Sequence, residues 1–166
     1  PFTSRFNDFS IEDAYLVADS IHKSRVERGD APIVRKIGFT NPEIRAVYGV
    51  LEPIWGYVYD SSVFFHSSSP KSYNLSKFTE PKIEPEIIVH FHSSPQRNRD
   101  PASILDCIDW VAHGFEIVQS HFPYWEFQAA DTVADCGLHA MLIVGEPVEV
   151  QRLGPSALSD LESLII

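Results

Sequence analysis

Cysteine is scarce: Cys107 and Cys136 are the two in 166 residues, 29 positions apart and outside any CxxC pattern. That spacing suits reduced thiols in the cytosol better than a disulfide framework, and one bridge is the most it allows. Basic residues are also few, 13 Lys plus Arg against 23 Asp plus Glu for a net charge of -10, and no Lys/Arg stripe is present. Non-specific nucleic-acid binding, which needs clustered phosphate contacts, is therefore excluded. Long apolar runs are missing as well. Leu142 to Gly145 is typical of those present, far below the roughly 20 residues that span a bilayer. No nucleophile elbow, phosphate loop, dinucleotide fingerprint or internal repeat occurs. Pro1 to Ser10 lacks a charged region followed by an apolar run, so no signal peptide is read and the expected location is the cytoplasm. The absent initiator methionine and the apolar residues 161–166, which resemble the start of a strand, make both ends read as trimmed.

What is present is apolar mass: 44% hydrophobic and 12% aromatic residues. A chain of roughly 150 residues buries about 70% of its unfolded surface, so no metal or disulfide is needed merely to hold it folded. One domain over 1–166 is expected, with 1–30 as an N-terminal helical segment and 31–166 as a β-rich part. Ser10 before Ile11-Glu12-Asp13, with apolar residues at helical spacing up to Gly29, predicts a helix over 11–28. Asn41-Pro42 and Gly49 bracket a second over 42–48. Asp100-Pro101 starts a third, expected to run to His113 with Gly114 as its C-terminal cap. Strands are expected at 34–39, 54–59, 86–91, 115–120, 140–144 and 148–153, with polar loops at 67–72 and 93–99.

Chemistry concentrates in Glu84-Pro85-Glu86-Ile87-Ile88-Val89-His90-Phe91. On a strand, Glu84 and Glu86 share a face, and paired carboxylates repel unless a cation or a proton lies between them. A hard ion such as Mg²⁺ or Mn²⁺ meets that need. Spacing alone favours the plainer reading, a solvated strand edge. Glu116, inside the otherwise apolar Gly114 to Val118, is a third acid. Such a residue is rarely buried unpaired, so it points to a metal or, at least as readily, to a lysine or arginine partner. His90 and His92 alternate and with a carboxylate would imitate a two-histidine iron site, although strand histidines are more often hydrogen-bonded structural residues. Trp55, Trp110 and Trp125 read as packing residues.

Five segments then occur in order: Arg35-Lys36-Ile37-Gly38-Phe39-Thr40, residues 53–60 from Pro53 to Asp60, Ile83-Glu84-Pro85-Glu86-Ile87, residues 115–120 from Phe115 to Ser120, and residues 130–135 from Ala130 to Asp135. Together they resemble the 2-keto-4-pentenoate hydratase and 4-oxalocrotonate decarboxylase group of the fumarylacetoacetate hydrolase superfamily. The resemblance implies an α+β, β-rich fold of mixed sheets with a few peripheral helices, assembled as a homo-oligomer. It implies Glu84, Glu86 and Glu116 as ligands of Mg²⁺ or Mn²⁺, Lys36 as the proton-transferring catalytic residue and Asp60 as a substrate-binding acid. The activity it implies is a hydratase acting on a 2-oxo-alkenoic acid such as 2-keto-4-pentenoate, through a metal-stabilised enolate. Decarboxylation and C–C hydrolysis start from the same enolate, and a non-catalytic subunit retaining the fold is the rival from another class. The chain departs from the family at Leu138, where a serine is expected. His139, one position on, is expected to face the opposite way from Leu138. The family also continues beyond the position of Ile166, so 31–166 is expected to lack its C-terminal portion.

Overall fold

The computed structural model describes residues 1–66, 72–96 and 101–154, with Ser156 and Ser159. The helices are α1 (Ile11–Glu27), α2 (Pro42–Tyr48), α3 (Pro101–Leu105) and α4 (Ala129–Ala134). The strands are β1 (Pro32–Gly38), β2 (Ile54–Tyr59), β3 (Val63–Phe65), β4 (Lys82–Phe91), β5 (Ile108–Val118), β6 (His139–Val144) and β7 (Val148–Glu149). β1 and β2 form an antiparallel pair, and β3, β6, β5 and β4 lie in that order in a second sheet, with β7 paired to β5. This is the α+β, β-rich class that the sequence implied. Among the described residues no helix is long and apolar enough to cross a membrane, and both cysteines are free.

Two compact units are distinguished, the first formed by Pro1–Val63, Ser72–Glu84 and Glu116–Leu142, the second containing Pro85–Phe115. In the first, α1 starts at a reciprocal cap: Ser10 Oγ accepts from Asp13 N at 3.1 Å, and Ser10 N donates to Asp13 Oδ2 at 3.1 Å. The first turn's orphan amide is thereby satisfied where the sequence placed it. α2 is capped by Asn41, whose Oδ1 accepts from Glu43 N at 2.9 Å, and it ends at Gly49 with φ +64°. Ala14 of α1 is fully buried and packs with Ile54, Ala130, Val133 and Ala134. The small side chains let α1 approach α4 closely. All six residues of α4 are buried, so Ala-Ala-Asp-Thr-Val-Ala carries no amphipathic period by which it could be read as a helix.

In the second unit the structure corrects the third helix. α3 stops at Leu105 and residues 108–113 are strand, with Ile108 and Ala112 buried while Asp109 and His113 are exposed. β-branched and aromatic residues at alternating positions outweigh the helical spacing of Ile104, Leu105, Ile108 and Val111. Gly114 is no helix cap: a Cβ there would lie 2.2 Å from Ile88 Cδ1 and 2.6 Å from Ile143 O. Its lack of a side chain is what lets the neighbouring strands close on β5. β4 begins four residues before its expected start at Glu86, and 115–118 form the end of the long β5. The strand expected at 148–153 is only Val148–Glu149, followed by a 3₁₀ turn in which Arg152 Nε meets Glu149 Oε2 at 2.8 Å. The expected loop residues 67–71 and 97–99, and the apolar stretch 161–166, lie outside the described residues.

Candidate metal centre

Lys36 is aimed by the alternation of β1, where Val34, Lys36 and Gly38 turn inward while Arg35 and Ile37 are exposed. Across the pair it faces Gly56. A Cβ at Gly56 would come within 3.1 Å of Cys136 O and touch Lys36 Cγ at an ordinary 3.6 Å, so a side chain there would press on the 136–138 turn beside the lysine. The Lys36 ammonium donates to Glu116 Oε1 at 2.7 Å, to Glu116 Oε2 at 2.8 Å and to Gly137 O at 2.7 Å. All three of its donors are engaged. The lysine partner that the sequence allowed for Glu116 is therefore present.

Glu116 sits on β5 and is 3% exposed. His139 Nδ1 donates to its Oε1 at 2.7 Å, and the other ring nitrogen, Nε2, lies 2.8 Å from Ser62 Oγ. Burial by itself pushes the Glu116 carboxyl up, but the His139 hydrogen bond and the charge and hydrogen bond of Lys36 outweigh it and hold the group below its ordinary value. Glu116 is thus a carboxylate at neutral pH, which makes Nδ1 the donating nitrogen of His139.

The Gly137 carbonyl reaches Lys36 because Cys136, Gly137 and Leu138 all take the left-handed conformation, with φ of 53°, 67° and 60°. A Cβ on Gly137 would meet Lys36 Cε at 3.0 Å. Left-handed backbone costs on the order of 1–2 kcal/mol for each non-glycine residue, so the surrounding contacts must hold the turn. Leu138 is buried with Val118 and Phe122, while His139 turns to Glu116, the divergence that the sequence led us to expect. The partnership of His139 with Glu116 was not legible, because it joins β6 to β5 across 23 positions of sequence.

Glu84 and Glu86 follow one another on the same edge of β4. One carboxylate oxygen from each lies within 4.8 Å of the others and of one from Glu116, the group of three among the described residues whose spacing suits a metal ion. Glu84 is an exposed residue, yet its carboxyl is raised above its ordinary value. Desolvation is the main cause, Lys36 pulls it down, and the Glu116 charge pushes it up. Loss of water around the carboxyl, more than uncompensated charge, is what raises it, and Lys82 joins Lys36 in pulling it down.

The other candidates are placed elsewhere. Asp60 is exposed; its Oδ1 accepts from Ala31 N at 3.0 Å and Ser61 N at 2.9 Å, closing the open end of the β1–β2 pair. It is not one of the three grouped acids. His90 stacks on Trp110 with ring centroids 4.8 Å apart and lies 3.4 Å from Asp109, and His92 Nε2 lies 3.0 Å from Asp106 O. Neither histidine belongs to a metal-spaced group among the described residues; His90 lies on β4 against Trp110 and Asp109, and His92 follows the strand with its ring against the Asp106 carbonyl. Trp55 stacks on Tyr15 at 5.4 Å and Trp125 packs against Phe127, in keeping with packing roles.

The chain is similar over most of its length to proteins of known activity. The chain is 32% identical to 2-hydroxypent-2,4-dienoate hydratase of Pseudomonas putida over 149 residues, 85% of this chain and 64% of that protein. It is 29% identical to 2-keto-4-pentenoate hydratase of Paraburkholderia xenovorans (strain LB400), covering 87% of this chain and 53% of the relative. The solved 4-oxalocrotonate decarboxylase of Pseudomonas putida G7, complexed with magnesium and adipate, superposes with a TM-score of 0.78 at 26% identity, covering 91% of this chain and 57% of that one. A second structure of that decarboxylase, with calcium and acetate, gives 0.80. This chain thus spans between half and two-thirds of the length of these relatives. No family model matches it.

Proposed function

We propose, on the premise that this chain is a relative over most of its length of the 2-keto-4-pentenoate hydratase and 4-oxalocrotonate decarboxylase family, that it forms the metal-holding part of a divalent-metal-dependent hydro-lyase. The substrate class is a 2-oxo-alkenoic acid such as 2-keto-4-pentenoate, and the working form is a cytoplasmic homo-oligomer. The carrying observation is the convergence of the Glu84, Glu86 and Glu116 carboxylates within 4.8 Å. Three hard oxygen donors fit Mg²⁺ or Mn²⁺, and a cation among them would offset the desolvation that raises the Glu84 carboxyl.

When bound, the ion would act as a Lewis acid on the adjacent carboxylate and carbonyl oxygens of a 2-oxo acid. Glu84, Glu86 and Glu116 hold it. Lys36 is seated against Glu116, and its charge with that of a divalent ion equals that of the three carboxylates, which would ease the approach of the substrate's own carboxylate. In this reading Lys36 is the proton carrier, which requires it to give up one of its three hydrogen bonds at the moment of transfer. Asp60 would bind substrate only by releasing the backbone amides it now holds, and it is the weakest member of the set.

The full engagement of Lys36 and the burial of Leu138 favour a second reading, a subunit that holds metal without turnover. Titration of Mg²⁺ and Mn²⁺ with and without oxalate, a mimic of the 2-oxo acid enolate, tests the first. Binding should tighten with oxalate and disappear in Glu84→Gln, and unchanged binding in that variant would remove the ligand assignment. Metal-dependent exchange of C3 protons of a 2-oxo acid with solvent deuterium separates the two readings.

A further inference from the structure

Glu116 is held unevenly. Its Oε1 accepts from both Lys36 Nζ and His139 Nδ1, each at 2.7 Å, whereas among the described residues Oε2 accepts from Lys36 alone, at 2.8 Å. His139 is itself fixed at both ends, since Nε2 lies 2.8 Å from Ser62 Oγ, which in turn lies 3.0 Å from Tyr59 O. Its side chain is 7% exposed, so water does not readily replace it. Ser62 belongs to the 3₁₀ turn at the end of β2 and His139 opens β6. The ring is therefore braced between two separate elements. A carboxylate oxygen carrying two charge-assisted hydrogen bonds has little lone-pair capacity left for a cation.

We propose that the Ser62–His139 pair is a selectivity device that restricts Glu116 to one-oxygen ligation through Oε2. Small octahedral ions such as Mg²⁺ and Mn²⁺ accept single-oxygen carboxylates, whereas Ca²⁺ takes more oxygens and readily binds a carboxylate through both. Partners behind a ligand commonly decide its orientation in this way. Holding Oε1 away from the ion thus disfavours Ca²⁺. This rests on the metal-site reading above and adds to it a positioning role for two residues outside the ligand set.

The test is calorimetric titration of Mg²⁺ and Ca²⁺ into metal-free parent protein, His139→Leu, His139→Gln and Ser62→Ala, with circular dichroism as the check on folding. Relative to the parent, His139→Leu should shift the ratio of Ca²⁺ to Mg²⁺ affinity toward Ca²⁺ by about tenfold. Ser62→Ala should shift it less, and His139→Gln, whose amide N–H can still donate to Oε1, should restore most of the parent ratio. A fall in both affinities by the same factor, with the ratio unchanged in folded His139→Leu and Ser62→Ala, would overturn the proposal while leaving the metal site standing. Should the parent bind neither ion, the metal-site reading fails and this inference with it.

Discussion

Two buried carboxylates in this protein are both held below their ordinary ionisation range, and by opposite means. Glu116 is met by a lysine, a histidine and two further acids. Asp131, fully buried at the start of α4, is met among the described residues by neutral donors, Thr3 Oγ1 at 2.6 Å, Thr3 N at 3.1 Å and Gln128 N at 3.0 Å, with the Phe2 backbone beside them. Burial pushes Asp131 up, and the hydrogen bonds of Thr3 and Gln128 bring it below its ordinary value. Neutral donors answer one buried charge completely and ask for nothing more, which is what a structural tether between the N-terminus and α4 requires. Around Glu116 a lysine and a histidine stand with two further acids, the arrangement for which a cation is the proposed further partner.

The sharpest way to break the contrast is Lys36→Met. Removing one partner of a buried ion pair strands the other, so a loss of about 3–5 kcal/mol is expected in urea unfolding of metal-free protein. Saturating Mg²⁺ should recover part of it. Asp131→Asn should cost about 1–3 kcal/mol, because it unsettles the amide and hydroxyl donors around it, and should leave Mg²⁺ affinity unchanged; a change there would erase the distinction between tether and site. The same variant reads out in pH. A carboxyl whose folded value lies below its unfolded 3.8 adds stability that is present above about pH 4 and is lost as pH falls through the lowered folded value. Asp131→Asn should therefore flatten the acid limb of the stability profile, leaving the part due to Glu116, which is depressed in the same direction. Smallest is Thr3→Val, expected to cost about 1 kcal/mol for the single hydroxyl bond.

How far the sequence could be read follows the same division. Features set by local chemistry were legible: the Ser10 cap of α1, the Asn41-Pro42 start of α2, the β2 strand, and the alternation that places Glu84 and Glu86 together. Features set by packing between distant segments were not. Gly114 looked like a helix terminator because its true constraint, the nearness of Ile88 and Ile143, is tertiary. α4 was invisible because it is buried on every side. The three acids were picked out by residue type, and the motifs identified Lys36 through the resemblance. The brace behind Glu116 depends on a left-handed turn that no residue pattern in Cys136-Gly137-Leu138 announces beyond its glycine.

That turn has a consequence for handedness. From 136 to 138 every φ is positive, the sign that D-residues favour and that L-cysteine and L-leucine adopt only at a cost. The contacts on either side, Lys36 on the carbonyl of residue 137 and Glu116 on the ring of residue 139, are also the ones that shape the candidate centre. Loosening the centre would relax the turn, so the site and the left-handed course of the backbone at these three residues depend on the same few hydrogen bonds.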